Sequence, residues 1–142
     1  MPINPYECPI TQSSRFIFRT LFWISLATIS IASILPQFFP QYVNISPDFS
    51  FRLDYMLHFL SYFFLASFLM VWKFSNDKKY KLIFFITICV IIISSIFEII
   101  QYFLPSRTFN PYDMLCNFSG FIIGLILSIV FLNMKTRRQT ND

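Results

Sequence analysis

The sequence predicts an all-α integral membrane protein, a four-helix bundle with both termini on the cytoplasmic side. Three observations support this fold class: an apolar composition, four long apolar runs and an uneven distribution of positive charge. Of the 142 residues, 56% are hydrophobic and only 13% are charged, whereas about one quarter of the residues of a soluble domain are charged. A bilayer is the solvent in which so much apolar surface is stable.

The four apolar runs predict four membrane-spanning helices. Each run has about the 20 residues that a helix needs to cross the hydrocarbon, and a lipid-exposed backbone must satisfy its hydrogen bonds internally. The spans cover about residues 16–35, 55–74, 82–103 and 113–132, within a membrane domain at 15–134. Residues 1–14 then form a cytoplasmic tail, and residues 135–142 form a second, basic one.

The first span also has features of a cleaved signal peptide. It follows a basic start, and Ser30, Ile31 and Ala32 resemble a small-residue cleavage site. Its apolar run is longer than the usual core of a signal peptide. We therefore expect this span to remain part of the membrane domain.

The positive residues predict the orientation. Only Arg52 and Arg107 fall in the first and third loops, whereas nine fall in the N-terminal segment, the second loop and the C-terminal segment. Cytoplasmic segments carry the excess of Lys and Arg, so we expect both termini inside. The nine are Arg15, Arg19, Lys73, Lys78, Lys79, Lys81, Lys135, Arg137 and Arg138.

Charge and cysteine usage exclude several other classes of protein. The net charge is +4, but the cations sit in short loops rather than on one solvated face, so nucleic-acid binding is not expected. Cys89 and Cys116 fall in apolar spans and Cys8 in the tail, with no metal or disulfide spacing. With one histidine in the chain, we expect neither a metal site nor a cofactor.

Polar residues inside the spans carry the functional signal, because such residues are costly in a bilayer and usually face the bundle interior. The last three spans each place polar or small residues on one helix face, at intervals of three or four residues. These are Asp54, His58 and Tyr62 in the second span, Ser94, Glu98 and Gln101 in the third, and Asp113, Asn117, Gly120, Gly124 and Ser128 in the fourth.

The predicted orientation brings these faces together near the outer surface. His58 and Asn117 each lie four residues inside the outer end of their span, which is about 6 Å of depth. Glu98 lies about 7.5 Å inside the outer end of the third span. A layer of four residues is expected above them: Asp54, Gln101, Asp113 and Arg107. Asp113 has an alternative role as the N-cap of the fourth helix.

Gly120 and Gly124 form a G-x-x-x-G pattern, which lets two helices approach closely. We expect this pattern to serve packing within the chain, beside the polar residues. A contact between two copies of the chain is the alternative.

The polar residues of the last three spans, taken in their order along the chain, resemble those of the VanZ-like family of small bacterial multi-span membrane proteins. The resemblance implies a location in the bacterial cytoplasmic membrane and work at the cell envelope, with a role like glycopeptide resistance as one form. The residues that carry it are Asp54, His58, Tyr62, Glu98, Gln101, the run Pro105-Ser106-Arg107-Thr108, Asp113, Asn117, Gly120 and Gly124.

Three functions fit these residues. The first is binding of an anionic lipid or lipid-linked envelope precursor, with Arg107 on its phosphate and a ligand-binding set of Asp54, Tyr62, Gln101, Arg107, Asp113 and Asn117. The second is intramembrane acid–base catalysis by Glu98 and His58. The third is a non-catalytic role as a subunit or scaffold that binds a membrane-protein partner or a second copy. Whether the protein is an enzyme is left open by the sequence.

Overall fold

The computed structural model describes residues 10–34, 42–46, 49–74, 80–104 and 110–141. These residues form four helices and a two-stranded antiparallel hairpin between the first two helices. The elements are α1 (Gln12–Ile34), β1 (Tyr42–Ser46), β2 (Phe49–Arg52), α2 (Leu53–Lys73), α3 (Tyr80–Tyr102) and α4 (Pro111–Asn141).

All four helices are long and apolar enough to cross a membrane. The predicted fold class, an all-α membrane bundle of four helices, is therefore confirmed. Large apolar side chains on every helix point outward, among them Ile31, Leu57, Phe84 and Phe131. Contiguous apolar surface of this extent is unfavourable in water, and lipid is the environment that suits it. The inside or outside position of the termini stays a prediction.

The hairpin was not predicted, because a two-stranded hairpin is marginal by itself and its residues have no long apolar alternation. Its register pairs Tyr42 with Arg52 and Val43 with Phe51, and it shifts between Asn44 and Ser46. β2 runs into α2 without a gap, since β2 ends at Arg52 and α2 begins at Leu53. The hairpin thus fixes the direction in which the chain enters α2.

The closest helix pair is α2 and α4, and two glycines make it possible. A Cβ added at Gly120 would overlap the backbone carbonyl of Phe59, and one added at Gly124 would overlap that of Phe63. Small residues at such contacts let helix backbones approach in a membrane, where dispersion replaces the hydrophobic effect as the driving force. The pair that meets here consists of two helices of the same chain.

The apolar core lies in the middle of the bundle. Its largest buried members are Phe22 from α1, Leu65 and Leu69 from α2, and Phe121 from α4, all at most 2% exposed. Val90 of α3 joins the same cluster. This core separates the two ends of the bundle.

Candidate functional site

Buried polar side chains gather at the end of the bundle where α2 and α4 begin and α3 ends. Five polar or charged side chains of α3 and α4 are at most 6% exposed: Ser94, Glu98, Gln101, Asp113 and Asn117. Two side chains of α2 meet them. We call the following group the polar cluster: His58, Tyr62, Ser94, Glu98, Asp113 and Asn117.

Asn117 is the centre of the polar cluster. Its amide nitrogen donates to Ser94 Oγ and to Glu98 Oε1, each at 3.1 Å. Its amide oxygen lies 2.9 Å from Nδ1 of His58. One side chain of α4 therefore ties α2 and α3 together, and this role needs a group that both donates and accepts.

These contacts fix the tautomer of the neutral His58 ring. Because the Asn117 amide nitrogen faces two acceptors, the amide oxygen faces His58, and Nδ1 of His58 must carry the hydrogen. The other nitrogen, Nε2, lies 3.9 Å from Oδ2 of Asp113. That distance is too long for a hydrogen bond. A protonated imidazole would pair with the carboxylate there, and a neutral one would present a lone pair to a third group.

The deeper half of the cluster is closed to the outside. Glu98 is 2% exposed, and Tyr62 hydrogen-bonds to Ser94 beside it. A carboxyl group at such a position is stable only with hydrogen-bonding partners, and the Asn117 amide is one of them. His58, by contrast, keeps 22% of its side chain exposed. The imidazole is thus the most exposed member of the polar cluster and lies between the buried groups and the surface.

An ion pair at the start of α2 borders the polar cluster. Arg52 donates to both carboxylate oxygens of Asp54, at 3.2 and 2.5 Å. Its guanidinium also lies 4.2 Å from the centre of the Tyr55 ring. In the sequence, Arg52 contributes only to the predicted orientation. Its position two residues before Asp54 was the available signal, but the pairing depends on how β2 enters α2.

The start of α4 differs from the prediction. α4 begins at Pro111, two residues before Asp113. Asn110 is the capping residue, since its side-chain oxygen accepts from the backbone N–H of Tyr112 and its carbonyl accepts from that of Asp113. The suggestion that Asp113 caps the helix is therefore wrong, because Asn110 and a proline in the first helical position already provide a favourable start.

Asp113 is also more buried than the surface position expected for it. It is 6% exposed, and Asn110 donates its amide hydrogen to Oδ1 of Asp113 at 3.1 Å. The same amide lies 3.3 Å from the hydroxyl of Tyr55. With Oδ1 held in this way, Oδ2 is the oxygen that faces His58.

Gln101 has a different neighbour from the other predicted ligand-binding residues. Its amide nitrogen donates to the backbone oxygen of Ser33 in the last turn of α1, at 3.1 Å. The last carbonyls of a helix have no partner within the helix, so Gln101 satisfies one of them and joins α3 to α1. Arg107 and its neighbours Pro105, Ser106 and Thr108 lie outside the described residues.

The site holds more acidic than basic side chains. Asp54, Glu98 and Asp113 supply three carboxyl groups, against one guanidinium from Arg52. In the part of the chain that the structure describes, no three His, Cys, Asp or Glu side chains are grouped so that they could hold a metal ion. The arrangement can donate and accept hydrogen bonds, and a third group could contact both His58 and Asp113.

Comparison with known proteins gives a family but no close relative. The VanZ/LLP1 family model matches residues 6–132, which include α1, α2, α3 and most of α4. This match confirms the resemblance to the VanZ-like family that was based on the sequence order of the polar residues. No curated protein matches the chain. No solved structure matches it either.

Proposed function

The chain belongs to the VanZ/LLP1 family, and on that premise we propose that it binds an anionic, lipid-linked envelope molecule. It acts as a multi-pass protein of the bacterial cytoplasmic membrane, and the polar cluster takes the headgroup of a molecule in the outer leaflet. The family match and the four apolar helices support the membrane assignment. The geometry around His58 supports the binding role.

The observation that carries the proposal is the relation between His58 and Asp113. Nε2 of His58 and Oδ2 of Asp113 are 3.9 Å apart. Asn117 holds the imidazole through Nδ1, and Asn110 holds the carboxyl group through Oδ1. A hydroxyl of a sugar or polyol headgroup can donate to one of these atoms while it contacts the other. Groups fixed in this way lose little freedom when a ligand binds.

The charges indicate how an anionic ligand would be oriented. Three carboxyl groups repel a phosphate at close range, so the phosphate of the ligand stays away from Glu98 and Asp113. Guanidinium groups suit phosphate because their fork of N–H groups binds two oxygens. Arg107, which follows α3 in the sequence, is the residue we propose for this contact. A second guanidinium, that of Arg52, lies at the start of α2, where it pairs with Asp54.

Native mass spectrometry of the detergent-purified protein tests the proposal. We expect the wild type to retain an anionic lipid-linked envelope molecule distinct from an ordinary phospholipid, and we expect Arg107→Ala and Asp113→Asn to lose it. Lys135→Ala is the matched control, because it removes one exposed positive charge at the far end of α4. Equal retention by Arg107→Ala and Lys135→Ala would contradict the proposal. A wild type without any ligand would favour the scaffold role and a protein partner.

The second candidate, acid–base catalysis, rests on the His58 tautomer. The bond to Asn117 leaves Nε2 as the nitrogen that exchanges a proton, and Asp113 stabilises the protonated ring. In that case the retained molecule changes mass during incubation, and Glu98→Gln or His58→Gln stops the change without loss of the ligand. An unchanged reaction in both variants excludes them as the acid and base.

A further inference from the structure

A cavity lies at the end of the bundle opposite the polar cluster. It is formed by the start of α1, the end of α2 and the start of α3, and its volume is about 480 Å³. The lining includes three positively charged side chains, Arg15, Arg19 and Lys73. We call it the basic cavity. No acidic side chain lines it among the residues that the structure describes.

We propose that the basic cavity binds the phosphate of an anionic phospholipid of the facing leaflet, which the charge pattern predicts to be the cytoplasmic one. Three like charges around one cavity repel each other, and a bound phosphate removes that repulsion. The proposal concerns a different ligand, a different leaflet and different residues from the proposed function, and neither depends on the other.

Arg15 carries the strongest sign of a site for an anion. Its Nε atom is buried, and it makes no hydrogen bond within the described part of the chain. A buried donor without a partner is unfavourable, and a phosphate oxygen is the acceptor that a guanidinium prefers. The other two cations lie over aromatic rings that line the same cavity: Arg19 is 5.1 Å from the Phe16 centroid and Lys73 is 3.8 Å from that of Trp72.

The apolar part of the cavity favours a lipid over free phosphate. Phe16 is 60% exposed and Leu82 is 40% exposed, and both line the cavity. These side chains lie near the ends of membrane-spanning helices, where headgroups meet hydrocarbon. Acyl chains can run along them while the phosphate contacts the cations. Trp72 is a residue type that concentrates at this depth of a membrane.

A topology signal alone does not account for this arrangement. Positive charge near the ends of spans is enough to orient a membrane protein, and Lys135 and Arg138 near the end of α4 meet that need from exposed positions. Arg15 and Lys73 instead come from two helices and share one cavity. This difference supplies a matched control.

The test measures binding of added phosphatidylglycerol to the delipidated, detergent-solubilised full chain by native mass spectrometry. Arg15→Gln with Lys73→Gln is compared with Lys135→Gln and Arg138→Gln, which removes the same charge. We expect the first pair to weaken binding about tenfold or more, because each cation near the membrane surface contributes about 1 kcal/mol to lipid attraction and each 1.4 kcal/mol is tenfold. The second pair should change it less than about threefold, since exposed cations act only through the general field. Equal weakening by both pairs would overturn the proposal.

Two further arms separate the remaining outcomes. Arg15→Lys keeps the charge but removes the buried Nε donor, and we expect weaker lipid binding without loss of the fold; unchanged binding would remove Arg15 from the site. Inorganic phosphate should compete poorly with phosphatidylglycerol. If inorganic phosphate displaced bound phosphatidylglycerol as effectively as unlabelled phosphatidylglycerol does, the cavity would be a site for free phosphate. That result would overturn the lipid assignment.

Discussion

At the scale of single residues, Asn117 has a role that no other side chain in the cluster could take. It accepts from His58 and donates to Ser94 and Glu98, so it links a titratable ring to a buried carboxyl group. A carboxylate in its place could accept but not donate. The amide is therefore as important to the site as the ionisable groups on either side of it.

Asn117→Asp tests this role. The variant loses two donated hydrogen bonds and brings a second carboxyl group next to Glu98, so we expect the free energy of unfolding to fall by about 1–3 kcal/mol. Thermal unfolding in detergent, followed by circular dichroism, measures it. Asn133→Asp is the control, because Asn133 is exposed on the same helix and should change stability by less than about 0.5 kcal/mol. Equal losses in both variants would show that the network adds nothing to stability.

The residues of the cluster differ in how far the sequence could identify them. His58, Glu98 and Asn117 were predicted to meet because depth along a helix follows from residue number, and the structure brings the three together. Gln101 was predicted to lie in the polar layer just above them, but it donates to the backbone oxygen of Ser33 in α1. Depth does not tell which neighbour a side chain faces around the helix, and this is set by how α3 packs between α1 and α4.

At the scale of elements, the contact between α2 and α4 controls the geometry of the site. His58 and Asn117 lie on these two helices, each within a turn of the glycine contact at Gly120 and Phe59. A change in the distance between α2 and α4 would therefore change the length of the hydrogen bond between His58 and Asn117. The glycine contact and the polar cluster are therefore structurally coupled.

Gly120→Ala should separate the two helices. The added methyl group overlaps the backbone carbonyl of Phe59, and backbone cannot move aside as a flexible side chain can. We expect a loss of about 1–3 kcal/mol in the free energy of unfolding. Ser119→Ala is the control, since Ser119 is the adjacent residue and is exposed. If Gly120→Ala unfolds at the same temperature as Ser119→Ala, the close approach of α2 and α4 is not needed for stability.

The ends of the helices were harder to predict than their number. Hydropathy fixes where apolar residues begin, but α4 begins earlier, at Pro111, because Asn110 caps it. The hairpin before α2 was missed because its strands have no pattern of their own and β1 packs beside α2. It matters for function, since it leads Arg52 to the position where it pairs with Asp54.

At the scale of the whole molecule, the two ends of the bundle have opposite character. One end has the carboxyl groups of Asp54, Glu98 and Asp113 with the guanidinium of Arg52, and the other has the cations of the basic cavity. Between them, the described core is built from apolar side chains such as Leu65, Leu69 and Phe121. Among the described residues, this core cluster contains no charged side chain.

The orientation of the bundle decides which leaflet each site meets, and it follows from charge alone. Nine cations against two predict that both termini are inside. In a background with Cys8, Cys89 and Cys116 replaced by serine, we expect a membrane-impermeant thiol reagent to label Asp48→Cys in intact cells. Thr140→Cys should react only after the membrane is permeabilised, because the charge pattern predicts that residue 140 lies on the cytoplasmic side.

The opposite labelling pattern would reverse the assignment of both sites. The polar cluster would then meet headgroups of the cytoplasmic leaflet, and a lipid-linked envelope molecule of the outer leaflet could not reach His58 and Asp113. The basic cavity would still lie at headgroup depth, because its position at the ends of α1, α2 and α3 does not depend on direction. Binding of phosphatidylglycerol there would survive the reversal, whereas the proposed function of the polar cluster would not.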